Sequence, residues 1–109
     1  QRIGRVLIEV DALLVPTTAV PALPLAEVDA DLESYFEYNF SALRNTAIGN
    51  ILNLCGLSVP CGFTTKGLPI GLMIYGRAFH EEQILRIGHA FQKVTDWHRR
   101  TPDLSWTVA

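Results

Sequence analysis

Charge is scarce in these 109 residues: Asp, Glu, Lys and Arg make up 18%, against roughly 25% in an ordinary soluble domain. A small domain has more surface per residue and should carry more charge than average, not less. The deficit implies that part of the surface was built to lie against something else. Cysteine is scarcer still. Cys55 and Cys61 have neither zinc-finger spacing nor the numbers of a disulfide framework, so reduced thiols and a cytoplasmic location are expected. No apolar run is long enough to cross a bilayer, and no charged-then-apolar leader follows Gln1. A net charge of −2 and a pI near 5.9 give no electrostatic case for nucleic acid or an anionic membrane. His80, His89 and His98 are spaced so that successive ones turn by about 180° on a helix, which excludes a metal site shared along one helical face. Neither a metal nor a cofactor is expected.

What the chain does have is apolar sequence, 49% of it, much of it in short runs. Leu57–Phe63 and Ile70–Tyr75 are rich in Val, Ile, Phe and Tyr and bounded by Gly and Pro, which predicts two buried strands. Their near-continuous apolarity predicts cover on both faces, as inside an α/β sheet. The six residues Thr64–Pro69 are too many for a two-residue hairpin, so a loose antiparallel connection is expected. Gly67 would supply positive φ there, and Pro69 would set where the second strand begins.

Before this pair, Ile3, Val6, Leu7 and Val10 have helical spacing, and residues 11–16 read as a short buried strand ending at Pro16. Residues 17–28, with Pro21 and Pro24, predict an extended loop rather than a helix. From Asp29 to Asn45, Leu32, Phe36, Phe40 and Leu43 recur every three or four residues, a helix with Glu33 and Glu37 on its other face. Four of the ten aromatics, Tyr35, Phe36, Tyr38 and Phe40, fall in six positions. Ordinary core packing is favoured for them over a pocket wall for an apolar substrate. Thr46–Leu54 predicts a second, short helix stopped by Gly56. A final helix after Phe79 carries the stripe Ile84, Ile87, Phe91 and Val94, widened by Leu85 and Ala90. Glu81 and Glu82 begin it and Arg99 and Arg100 follow it, both favourable to its dipole. The tail from Thr101 to Ala109 has no periodicity.

Chemistry is harder to find. Four serines (Ser34, Ser41, Ser58, Ser105) and two lysines (Lys66, Lys93) occur, with no Gly-Ser-rich stretch. Ser58 and Lys66 are placed to face each other across the strand pair, but Lys66 lies in a polar turn, a poor setting for a general base. Thr46 and Asn50 are one helical turn apart on one face.

Several pieces then stand in a telling order: Asp11–Thr17, Thr46, Asn50, Ser58-Val59-Pro60-Cys61-Gly62-Phe63, Gly67-Leu68-Pro69-Ile70-Gly71, Glu82 and Trp97. Together they resemble the C-terminal part of the amidase signature enzymes, which hydrolyse carboxamides or transfer their ammonia. The resemblance implies an α/β fold, a mixed β-sheet flanked by helices. Here that means a short strand, a helix, an antiparallel strand pair and a C-terminal helix. It also implies that residues 1–109 are the C-terminal segment of a single amidase domain and not an independent catalytic domain. The family's two catalytic serines and lysine lie upstream of the matched region, so no catalytic residue is expected in this chain. Thr46 and Asn50 would lie close to the active-site region, with Arg44 and Asn45 as candidate substrate contacts. The alternative is that Asn50 bonds neighbouring backbone and Thr46 begins a helix.

Three positions depart from the family pattern: Asn53 for a Gly, Cys55 for a Pro, and His80 for an Asp cap. Members that use glutamine tend to carry an acidic residue near 43–45, and none occurs here, which leans towards a general amidase over an amidotransferase A-subunit-like protein. A non-catalytic binding or assembly module is the reading from another class. The implied partners are the remainder of the amidase chain and, in the parent, a small amide substrate. Neither direct nucleic-acid contact nor a membrane is implied, and the charge deficit admits a homo-oligomer through exposed apolar surface.

Overall fold

A computed structural model describes residues 2–105. Gln1 of the expected first helix and residues 106–109 of the tail lie outside the described residues, as do the side chains of Ile3 and Val6. The elements run α1 (Arg2–Glu9), β1 (Leu13–Pro16), α2 (Leu25–Val28), α3 (Leu32–Ile51), β2 (Cys55–Phe63), β3 (Pro69–Gly76) and α4 (Glu81–Val94), then a 3₁₀ turn at Trp97–Arg99.

The predicted strand pair forms, and β1 joins it. The sheet order is β1-β3-β2, antiparallel throughout, so the last strand in sequence is the middle one in space. Leu57 pairs with Ile74 and Val59 with Leu72 on one side, while Leu14 pairs with Ile74 on the other. A register shift between Pro60 and Gly62 leaves Cys61 unpaired, as a bulge does beside a proline that cannot donate to the ladder.

Side chains alternate across a strand, and the two faces fare differently. Leu57, Val59, Leu72 and Ile74 point to α4, which meets them with Ile84, Ile87 and Phe91. Ile74 is the most enclosed side chain, 1% exposed. Burial of each such residue contributes about 1.5–3 kcal/mol. On α4, Val94, Leu85 and Ala90 are exposed, so its packed stripe is narrower than its sequence spacing predicts.

The opposite face is not covered along its length, contrary to expectation. Gly56, Ser58 and Pro60 are exposed there, and Tyr75 alone is buried. An apolar run can show that a strand needs two covers. It cannot show that both are supplied by the same 109 residues.

Tyr75 is buried because α3 crosses it. Its hydroxyl donates to the Asn45 carbonyl at 2.9 Å, and Gly49 lies on its ring. The helix is one element of twenty residues, not two. Its packed stripe is Tyr38, Ala42, Asn45 and Gly49, while Leu32, Phe36, Phe40 and Leu43 are exposed. Close approach to a tyrosine ring demands small residues, and a search for bulky periodicity selects the wrong face.

The Asp31 carboxylate starts α3 by accepting from the Ser34 N–H at 2.8 Å, and this bond holds its carboxyl below the usual carboxylate range. Asn53, at φ 53°, ends it. The Asn53 N–H donates to the Asn50 carbonyl and the Leu54 N–H to that of Gly49, the paired bonds of a left-handed helix stop. Asn is the residue after Gly best able to take that conformation, and Gly56 lies instead within β2, opposite Tyr75.

Two loops also differ from expectation. Residues 25–28 form one helical turn, with Pro24 preceding it and the Glu27 N–H donating to the Pro24 carbonyl at 3.0 Å. The β2–β3 connection is closed rather than loose. The Thr64 N–H donates to the Leu68 carbonyl at 2.8 Å, and the Thr64 hydroxyl accepts from the Lys66 and Leu68 N–H groups. Gly67 takes φ 78° there, as its position predicts.

Gly49 gives the sharpest test of this packing. A Cβ at that position would sit 2.7 Å from the Tyr75 Cζ. Gly49→Ala should destabilise the chain by about 1–3 kcal/mol in urea unfolding, although alanine favours a helix by about 1 kcal/mol. A more stable variant would mean that α3 does not rest on Tyr75.

Candidate functional site

Polar side chains gather where β1 ends and α3 crosses the sheet. Thr17 extends β1 by one more backbone bond, its N–H donating to the Gly71 carbonyl at 2.8 Å. Its hydroxyl shares a hydrogen bond of 2.6 Å with that of Ser58 on β2. The two hydroxyls meet over Gly71 of the central strand, where a Cβ would come within 2.7 Å of one and 2.9 Å of the other. This pair lies on the open face of the sheet. The partner of Ser58 is therefore Thr17, and Lys66 stays in its exposed turn.

The four residues expected near a substrate do not converge. Asn45 faces the sheet: its Nδ2 donates to the Pro16 carbonyl at 2.8 Å while its own carbonyl holds Tyr75. One residue thus ties α3 to the end of β1 and to the C-terminal end of β3. Thr46 lies within α3 rather than at its start, and its hydroxyl donates back to the Leu43 carbonyl at 3.0 Å. Asn50 is one turn further on, with its side chain exposed and without a hydrogen bond among the described residues. Arg44 is also exposed, about 160° round the helix from Thr46.

Elsewhere the reactive groups stand apart. The Cys55 thiol donates to the Arg77 carbonyl at 2.9 Å, and burial pushes the Cys61 thiol up. Arg100 pairs with Asp96 at 2.8 Å and lies over the Trp97 ring. Among the described residues no group of three His, Cys, Asp or Glu side chains could hold a metal ion. Sequence reading missed the Thr17–Ser58 pair, whose members are 41 positions apart. The available signal was Gly71, a small residue inside a strand, which marks close approach from neighbours.

The model of the Amidase family matches residues 1–85. The chain belongs to the amidase family. The glutamyl-tRNA(Gln) amidotransferase A subunit of Desulfatibacillum aliphaticivorans is 46% identical over 95 residues, covering 86% of this chain and 19% of that protein. The protein of the same name from Roseiflexus sp. (strain RS-1) is 50% identical over 97 residues, covering 88% and 19%. The crystal structure of the glutamyl-tRNA(Gln) amidotransferase A subunit from Thermotoga maritima superposes with a TM-score of 0.65 at 33% identity, over 84% of this chain and 19% of that one. This amidase chain thus shares the α/β architecture of that structure and spans about 19% of the length of these relatives. Their names give no support to the lean towards a general amidase drawn from residues 43–45.

Asn45 and Asn50 separate packing from exposure within this amidase segment. Asn45→Ala removes the bond to Pro16 and should cost about 0.5–1.5 kcal/mol in thermal or urea unfolding. Asn50→Ala should stay within about 0.5 kcal/mol of the parent chain. Equal losses would show that both side chains hold the helix in place.

Proposed function

We propose that the chain is the C-terminal portion of an amidase signature enzyme acting on carboxamide C–N bonds. It supplies scaffold and one wall of the substrate cleft. The nucleophile, the proton-relaying second serine and the lysine base come from the rest of the polypeptide. One observation carries this reading: Ser58, the serine held within the sheet, bonds to another hydroxyl and not to a base. A serine is a weak nucleophile unless a base takes its proton, and the acyl carbon's developing oxyanion needs fixed donors.

In this reading the open face of the sheet meets the remainder of the enzyme, and the Thr17–Ser58 hydroxyls and the exposed Arg44 and Asn50 are the groups free to meet that remainder or a substrate. Asn45 keeps α3 where those groups are useful. A second reading is that the parent is itself an amidotransferase component, supported by the 46% and 50% identities to proteins of that name. Both readings make the 109 residues inert alone.

Incubation of the purified chain with a panel of small amides, glutamine included, should give no release of ammonia or amine. No serine should be labelled by a fluorophosphonate. Turnover lost on Ser58→Ala would contradict the proposal.

A further inference from the structure

Between residues 20–28 and the first half of α3 lies an open groove of about 840 Å³. Leu23, Val28, Phe36 and Phe40 form its apolar wall. Phe36 stacks on Phe40 at 6.3 Å and meets Tyr35 edge-on at 5.7 Å. Nothing among the described residues lies over this ladder, and Phe40 is 71% exposed. Rings left in water at this density mark a surface that something covers.

The rim says what kind of cover fits. Glu27, Glu33 and Glu37 stand around the groove. Among the described residues their side chains form neither ion pairs nor hydrogen bonds, whereas Glu82 and Asp96 each hold an arginine and Asp31 caps a helix. From residue 6 to residue 43 the sequence has seven carboxylates and no Lys, Arg or His. A second copy docked through the same face would set carboxylates against carboxylates, and a purely apolar cover would desolvate them without partners. Cationic heads reaching the rim and the ring faces, with apolar side chains between them, satisfy both parts of the groove.

We propose that this groove seats a polypeptide segment in which Lys or Arg is interleaved with apolar side chains, supplied by the part of the amidase polypeptide beyond these 109 residues. Its source rests on the function proposed above; its chemistry rests on the groove.

The test is an array of overlapping peptides of about 15 residues, enough to span one groove. They would cover the part of the Thermotoga maritima relative that this chain does not match, probed with the labelled 109-residue chain. A Glu33→Gln/Glu37→Gln variant, checked for native circular dichroism, would be probed in parallel. The captured peptides should combine Lys or Arg with apolar residues, and the variant should retain them at least about fivefold less. Capture should also fall as salt rises to about 0.5 M. Capture of peptides lacking cations, equal capture by the variant, or no capture would overturn the proposal. Amide turnover by the chain alone would instead defeat the proposed function and leave the array result standing.

Discussion

Two adjacent side chains in β3 govern the architecture. Ile74 points one way into the apolar layer under α4, and Tyr75 points the other way under α3. Because β3 lies between β1 and β2, each of these contacts reaches both neighbouring strands. The two sides are held by different physics. Behind Ile74 the hold is non-directional burial among aliphatic side chains. Behind Tyr75 it is close approach to Gly49 plus two directed hydrogen bonds through Asn45.

That difference matches how far each face is covered. The α4 face closes over β2 and β3 with Leu57, Val59, Leu72, Ile84 and Phe91, while Leu14 at its β1 edge stays exposed. The α3 face is touched at one end and leaves Ser58 and Pro60 exposed, with the aromatic ladder standing clear of the sheet. A short charge supply and much exposed apolar surface agree with a member of the amidase family that spans about 19% of its relatives' length.

How much of this the sequence disclosed depends on the length scale of the cause. The β2 and β3 strands and α4 were readable because Gly and Pro punctuate them and their apolar spacing is local. The end of α3 at Asn53 is half legible: Asn53 stands for a family glycine, yet Gly56 is the nearest glycine that reads as a stop. The packed stripe of α3 was not readable, because Asn45 and Gly49 are placed by a ring 26–30 positions away. The same holds for the site. Arg44, Asn45, Thr46 and Asn50 could be named from a motif, but which of them faces the sheet depends on Tyr75. The Thr17–Ser58 pair exists only once β1 has docked beside β3.

The central claim is that the β2–β3 layer under α4 is packed within these residues and the opposite face of the sheet is not. Native-state amide hydrogen exchange resolved by residue measures this directly. The account predicts the slowest exchange in Leu72–Gly76 and along Ile84–Phe91, with the first three turns of α3 exchanging much faster. Protection in residues 35–43 equal to that of β3 would contradict it, since that half of the helix would then be as firmly packed as the core.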